Sequence, residues 1–324
     1  MVATTPLDIL RFLSARADEG VETVLVTLVA VIGGSSRGIG TQMAVAADGR
    51  RVGSFSGGCI EDAVAAEALE TLADGWGHVV RYGIGSPYID IRLPCGGGID
   101  LLFTPRPDTA SIRKALDLLG ERQPAALRLE CDRVTVVADA QEAPWNGECL
   151  THCYQPALRI HALGQGEDLT AFARLAKAFG AQVHALSPDV GTCMDLAALE
   201  IAATRIQVRS TLPLTASDHW SAIVFLFHGR DWEEHLLPQA LALPAFYHGA
   251  IGSRRTHRAR LDALQASGVP LEQIARLRGH IGLIPSTRDP ATLAVSLLAE
   301  LVAEYNTLAH WTYWTGESLA DAEQ

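Results

Sequence analysis

Two cysteines lie in glycine-rich segments, Gly57-Gly58-Cys59 and Cys95-Gly96-Gly97-Gly98. Glycine adopts backbone conformations that other residues avoid and lets a ligand approach the main chain closely. Cys59 also precedes a predicted helix, whose N-terminal N–H groups and dipole favour the thiolate that binds soft metals. Both segments therefore predict thiols that meet a ligand, although each alone also fits a small buried cysteine beside a tight turn.

Two further segments are suited to anions. Residues 33–37 follow a predicted strand and offer glycines, hydroxyls and a guanidinium to an oxyanion such as phosphate. Residues 249–255 place a strand end, a serine cap and two arginines at a predicted helix start. An ordinary polar turn and solvated arginines are the respective alternatives. The candidate cofactor-binding residues are Ser35, Ser36, Arg37, Gly57, Gly58, Cys59, Cys95, Gly96, Gly97, Gly252, Ser253, Arg254 and Arg255.

A partial dinucleotide fingerprint follows a predicted strand at Gly164-Gln165-Gly166. Leu169 stands where the third glycine belongs, and Glu167 and Asp168 would repel a pyrophosphate in the first helical turn. Asp189, beyond the next strand, could hold a ribose hydroxyl. Two interpretations stay open, a nucleotide site at Gly164, Gly166 and Asp189 or a Rossmann-like domain with an altered site, and NAD(P) is disfavoured.

A third cysteine-containing segment, Cys149 with His152 and Cys153, has a spacing that could belong to a metal site. Structural zinc takes four ligands, and no second ligand pair lies nearby in the sequence. Ordinary packing is therefore the favoured interpretation. No Ser-His-Asp arrangement can be assigned, and no catalytic residue is predicted.

Composition limits the classes of function. The 324 residues are 48% hydrophobic with a formal net charge of -11, which argues against a nucleic-acid-binding surface. The N-terminus lacks a basic region before an apolar run, and no apolar stretch approaches the ~20 residues of a membrane helix. Six cysteines in a chain of this length do not form a dense disulfide framework. We expect a cytoplasmic protein with free thiols and no stable membrane insertion.

The elements that position these segments form two groups. Before residue 107, five predicted strands surround a helix whose Ile60, Val64, Ala68 and Leu72 recur every four residues. From residue 158, strands and helices alternate, which is typical of a parallel, doubly wound sheet. The expected fold is α/β, an N-terminal α+β domain followed by a Rossmann-like domain. The expected bounds are 1–107 for the first domain, 108–157 for a connector with short strands, 158–306 for the second domain and 307–324 for a tail.

The glycine-rich segments resemble those of the XdhC/CoxI family, the accessory proteins of xanthine dehydrogenase and related molybdenum hydroxylases. The resemblance rests on residues 33–36, 48–61 and 93–100, and on residues 246–255 and 294–300 of the second domain. It spans nearly the whole chain except residues 108–150 and the tail.

The resemblance implies a maturation factor. It would bind the molybdenum cofactor, as molybdopterin or its cytosine dinucleotide form, promote or protect its sulfurated state and deliver it to the large subunit of an apo molybdenum hydroxylase. A cysteine desulfurase would be a second partner, and a homodimer is one arrangement. Cys59 and Cys95 would contact the molybdenum, since thiolates suit a soft metal. Such a protein is a cofactor chaperone rather than an enzyme.

The chain departs from the family pattern in its second domain. Gln165 and Glu167 replace the Ala and His of the first Rossmann turn, and residues 284–286 read Ile-Pro-Ser where Asp-Ile-Gly is usual. Two alternatives to the chaperone stay open: an NAD(P)-dependent oxidoreductase using Gly164 and Gly166, and an enzyme that relays sulfur through a persulfide on Cys59 or Cys95.

Overall fold

The computed structural model describes residues 5–58, 60–86, 93, 96–138, 141–214 and 216–308. Cys59 and Cys95 lie outside the described residues. The chain divides between Pro156 and Ala157 into two compact units, which we call the N-terminal and C-terminal units. None of the helices in the described ranges combines the length and the apolar character needed to cross a bilayer.

The N-terminal unit is built on an antiparallel sheet of five strands in the order β3-β2-β1-β5-β4. A second antiparallel sheet has the order β7-β6-β8. The elements of this unit are α1 (Pro6–Asp18), β1 (Thr23–Ile32), β2 (Gln42–Ala46), β3 (Arg51–Gly53), α2 (Glu61–Asp74), β4 (His78–Gly83), β5 (Gly98–Pro105), α3 (Thr109–Gly120), β6 (Ala125–Glu130), β7 (Val134–Val137) and β8 (Cys149–Tyr154).

The central strand β1 is buried on both faces. Successive side chains of a strand point to opposite faces, so Leu25 and Val29 pack with α1, and Val26 packs with α2. On α2 the four-residue repeat supplies the inward face, since Val64 and Ala68 are fully buried. Both faces of the sheet are therefore covered by packed side chains, and a ligand can reach the ends of its strands rather than its faces.

Residues 108–157, which we expected to form a connector, contribute instead to the core of the N-terminal unit. Ile112 on α3 and Leu127 and Leu129 on β6 are buried in the same cluster as Leu10 of α1. Prolines interrupt this stretch and make its strands short, so the sequence alone gives only a weak indication of the second sheet.

The C-terminal unit contains a parallel sheet of six strands in the order β11-β10-β9-β12-β13-β14. Numbered within the sheet, this is the 3-2-1-4-5-6 order of a Rossmann fold, in which ligands bind beyond the carboxyl ends of the strands. Its elements are β9 (Arg159–Gly164), α4 (Gly166–Phe179), β10 (Gln182–Ser187), α5 (Val190–Ala198), β11 (Ala202–Arg205), β12 (Ser221–Leu226), α6 (Glu233–Leu241), β13 (Tyr247–Ala250), α7 (Arg254–Ala266), α8 (Leu271–Ala275), β14 (Leu277–Gly279) and α9 (Pro290–Leu308).

Candidate functional site

Three of the glycine-rich segments meet at one end of the five-stranded sheet. Residues 33–37 leave β1, residues 96–98 lead into β5, and Ile32 pairs with Gly98 in the antiparallel ladder. Residues 54–58 connect β3 to α2 and contact the segment that leaves β1. We call residues 33–37, 54–58 and 96–98 the turn cluster.

Hydrogen bonds join the first two turns of the cluster. Ser36 Oγ donates to the carbonyl of Phe55 at 3.2 Å, and Arg37 Nε donates to the carbonyl of Ser54 at 3.4 Å. The hydroxyl and guanidinium that we predicted to bind an anion therefore also hold the loop that leads to Cys59.

Close backbone packing brings the third turn to the same place. A Cβ atom built on Gly97 would lie 2.0 Å from the carbonyl oxygen of Gly34 and 2.8 Å from that of Ile32. Only glycine fits at a separation this short. The sequence neighbours of Cys59 and of Cys95 thus contact one and the same turn, residues 33–37.

A single buried carboxylate fixes the turn before α2. Glu61, 6% exposed, accepts hydrogen bonds of 2.7–3.2 Å on its two oxygens. The donors among the described residues are Ser54 Oγ, Phe55 N, Ser56 N, Ser56 Oγ, Gly58 N and Ile60 N. Residues on both sides of Cys59 are therefore tied to one side chain.

These hydrogen bonds determine the charge of Glu61. Burial by itself would raise the pKa of this carboxyl, but hydrogen bonds from Ser56 and Ser54 outweigh it and lower the pKa to about 2. Our sequence reasoning did not assign Glu61 to the site. The available signal was an acid at the first position of a helix, directly after a loop of serines and glycines whose N–H groups need acceptors.

The outer surface of the turn cluster is open. Gly57, Gly58 and Gly96 are exposed, and a Cβ built on any of them would have no neighbour within 4 Å. Gly57 has φ 75°, so a side chain is excluded there by backbone conformation rather than by space. A ligand can therefore approach the main chain beside both cysteines.

The cysteines that the structure describes lie outside the turn cluster, and three of them are poor thiolates. Burial raises the pKa of Cys131 and Cys193, and raises that of Cys153 to about 11. On β8, Cys149 and Cys153 share one face while His152 is buried on the other. These three therefore do not converge on a metal, and no metal-binding group of three or more such side chains occurs within the described ranges.

At the Rossmann turn after β9, one expected phosphate donor, the N–H of Gly166, already has a partner. Gly164 packs against β12, since a Cβ there would lie 2.9 Å from Leu226. The N–H of Gly166 donates to Thr192 Oγ1 at 2.9 Å, and Asp189 accepts from the same hydroxyl at 2.7 Å. Asp189 is thus the N-cap of α5.

The surroundings of this turn are acidic. Glu167, Asp168 and Asp189 line a cavity of about 480 Å³, and His228 Nε2 lies 2.8 Å from Asp168 Oδ2. Three carboxylates repel a pyrophosphate. The three carboxylates disfavour NAD(P) at this turn.

A larger groove, of about 1120 Å³, lies beyond the carboxyl ends of β12, β13 and β14. We call it the arginine groove. Of the residues predicted around the start of α7, Gly252, Ser253 and Arg254 line it, whereas Arg255 does not. Three arginines that the sequence did not single out also line it: Arg230, Arg260 and Arg288.

Comparison with known proteins shows which family this chain belongs to. Residues 160–301 match the family described as the XdhC Rossmann domain, and residues 16–83 match the XdhC and CoxI family. The chain is 35% identical over 300 residues to the molybdenum cofactor insertion chaperone PaoD of Escherichia coli (strain K12), covering 91% of this chain and 87% of that protein. The chain belongs to the XdhC and CoxI family. The resemblance seen in the glycine-rich segments is thereby confirmed.

Two further proteins are similar to the chain. The chain is 27% identical over 288 residues to the uncharacterized protein YqeB of Escherichia coli (strain K12), covering 84% of this chain and 42% of that one. A crystal structure described as a xanthine dehydrogenase from Bacillus halodurans superposes with a TM-score of 0.75 at 20% identity, covering 94% of this chain and 96% of that one. That likeness shows the shared fold of this XdhC and CoxI family member.

Proposed function

We propose that this protein binds the molybdenum cofactor at the turn cluster and delivers it to an apo molybdenum enzyme. The observation that carries the proposal is the meeting of residues 33–37, 54–58 and 96–98 at one sheet end. Membership of the XdhC and CoxI family and the name of the relative PaoD support it.

The residues present fit such a cofactor. Cys59 and Cys95 supply soft thiolate ligands, and molybdenum with sulfur ligands is a soft partner. The exposed Arg37, with Ser35 and Ser36, supplies donors for an anionic oxygen. When bound, the cofactor supplies the metal–sulfur group, and the protein's own residues hold it and keep the neighbouring backbone in a fixed shape.

We assign the client, the form of the cofactor and the partners from what the family resemblance implies. The client is an apo molybdenum hydroxylase of the xanthine dehydrogenase type, and the cargo is the sulfurated cofactor as molybdopterin or its cytosine dinucleotide. A cysteine desulfurase is a second partner, the protein acts in the cytoplasm, and two copies form a homodimer. The protein is a carrier without catalytic residues.

The experiment is a retention assay on the full chain. Purified protein mixed with molybdenum cofactor is passed over a desalting column, and molybdenum is measured in the protein fraction. We expect wild-type protein to retain the cofactor and the double variant Cys59→Ala, Cys95→Ala to lose most of it.

The matched control is Cys131→Ala, Cys193→Ala, which removes two thiols outside the turn cluster. Circular dichroism shows whether both double variants remain folded. Equal retention by folded wild type and folded Cys59→Ala, Cys95→Ala would contradict the role of the thiols, and no retention by wild type would contradict the function itself.

A further inference from the structure

The arginine groove is lined by four arginines and three carboxylates, and two of the arginines are exposed and unpaired among the described residues. Each carboxylate that lines the groove already has a partner. Asp168 contacts His228, Glu233 pairs with Arg260, and Asp289 caps α9 by accepting the N–H of Thr292. Arg254 and Arg288 are exposed in the groove and form no ion pair with any residue in the described ranges.

The start of α7 adds backbone donors to this charge. Ser253 caps the helix by accepting the N–H of Thr256 at 3.1 Å. The earlier N–H groups of a helix have no acceptor within it, and the helix dipole places partial positive charge at the same end. Gly252 and Ser253, directly before the helix, line the groove.

A buried guanidinium supplies an independent observation. The Arg260 side chain, 5% exposed, holds Glu233 with three hydrogen bonds of 2.8–3.0 Å and donates to the carbonyl of Ile251 at 2.9 Å. Its Nη1 is buried and has no hydrogen-bond partner among the described residues. Leaving such a buried donor unpaired is unfavourable, and a bound anion would remove that penalty.

We propose that the arginine groove binds the phosphate or diphosphate group of a small phosphorylated ligand. The N-terminal N–H groups of α7, Arg254 and the spare donor of Arg260 hold the anion, and Arg288 adds charge. The groove shares Asp168, His228 and Pro290 with the acidic cavity at the Rossmann turn, but its anion donors are the N-terminal N–H groups of α7 and the arginines. The exposed Leu283 and Ile284, 62% and 45% exposed, give the groove an apolar rim for a ring system.

The proposal concerns a different surface from the cysteine-containing turns, so it stands or fails separately from the proposed function. The phosphate has two sources that share this chemistry, the molybdenum cofactor itself or a separate nucleotide. The test below distinguishes them.

The experiment is calorimetric titration of the full chain with pyrophosphate. We expect saturable binding that weakens with salt, and a loss of at least about tenfold in affinity for Arg254→Gln, because the variant loses one charge-assisted hydrogen bond to the anion. Arg288→Gln should weaken binding less. The matched control is Arg258→Gln, which removes an exposed arginine of α7 that does not line the groove and should leave the affinity unchanged.

Two results would overturn the proposal: no pyrophosphate binding by the wild type, or equal losses for Arg254→Gln and Arg258→Gln. Displacement of pyrophosphate by the molybdenum cofactor would assign the phosphate to the cofactor, and simultaneous binding would assign it to a separate nucleotide. Pyrophosphate binding without cofactor retention would contradict the proposed function alone.

Discussion

The turn cluster and the arginine groove each depend on one buried carboxylate, but use it differently. In the turn cluster, Glu61 accepts six hydrogen bonds from the described residues of one loop, and none of the described cations pairs with it. In the groove, Glu233 faces Arg260, which keeps one donor unused. The first arrangement fixes the backbone on both sides of Cys59, whereas the second leaves one N–H donor for a ligand.

The largest expected effect comes from breaking the ion pair of the groove. Glu233→Gln leaves the Arg260 charge buried without its counter-ion, which should lower the free energy of unfolding of the C-terminal unit by about 3–5 kcal/mol. Hydrogen exchange of amides in β12 and β13 measures this loss. Pyrophosphate should restore more protection in the variant than in the wild type, because the anion replaces the missing carboxylate.

The neighbouring Glu234→Gln is the control for that experiment. Its side chain is 53% exposed and lies 3.5 Å from Arg230, so the change should be below about 1 kcal/mol. Similar losses for the two variants would mean that the buried pair does not stabilise the unit as described.

The second effect concerns the turn cluster. Glu61→Gln keeps the size of the side chain but removes its charge and one set of acceptors, and should lower the free energy of unfolding of the N-terminal unit by about 2–3 kcal/mol. Asp62→Asn, whose side chain is 91% exposed, should change it by less than about 1 kcal/mol. Hydrogen exchange of amides in α2 measures both. Equal protection in the two variants would contradict the role of Glu61.

Glycine substitutions separate steric packing from backbone conformation within the cluster. Gly97→Ala places a methyl group against the Gly34 carbonyl and should destabilise the unit by about 1–3 kcal/mol while reducing cofactor retention. Gly57→Ala meets no neighbour and should destabilise by only about 1 kcal/mol, through its positive φ. Thermal melting and the retention assay measure the two effects. Greater harm from Gly57→Ala would contradict the close contact of the turns.

The smallest effect is the difference in pH response between the two units. Burial lowers the pKa of His161 and His248 in the C-terminal unit, and of His152 in the N-terminal unit, from 6.5 to about 4. These imidazoles stay neutral when folded but take up a proton when unfolded, so stability is lost as the pH falls from 6.5 towards 4.

Between pH 7 and pH 5.5, each of these histidines should remove about 1 kcal/mol, so the C-terminal unit should lose more than the N-terminal unit. Glu61 acts at lower pH than the histidines. Its lowered pKa stabilises the folded state above pH 4.5, and that stability is lost as the pH falls towards 2. Hydrogen exchange as a function of pH measures each unit. A larger loss in the N-terminal unit at pH 5.5 would contradict this assignment.

Much of the fold could be predicted, because a strong apolar periodicity in a segment is compatible with few secondary structures other than the observed one. The four-residue repeat on α2 and the dense strand β1 are examples, and both are buried as expected. The strands β8, β11 and β14 were not predicted, because their stability depends on neighbouring strands rather than on local composition, and β11 and β14 are also short.

The site was only partly predictable for a related reason. Glycine, serine and cysteine marked the turns, but their meeting depends on the pairing of Ile32 with Gly98, which is a property of the whole sheet. Arg260 acts through hydrogen bonds to Glu233 and Ile251, which local sequence patterns do not connect to it. Glu61 bonds to the loop directly before it, but the sequence does not show how that loop folds around the carboxylate. The unused Nη1 donor of Arg260 is visible only once its neighbours are known.

The most direct test of cofactor binding at the turn cluster is residue-specific alkylation with iodoacetamide, read by mass spectrometry with and without bound molybdenum cofactor. The account predicts that the cofactor strongly slows labelling of Cys59 and Cys95, while labelling of Cys149, on β8, is unchanged. Unchanged labelling of Cys59 and Cys95 in protein that demonstrably carries the cofactor would contradict it.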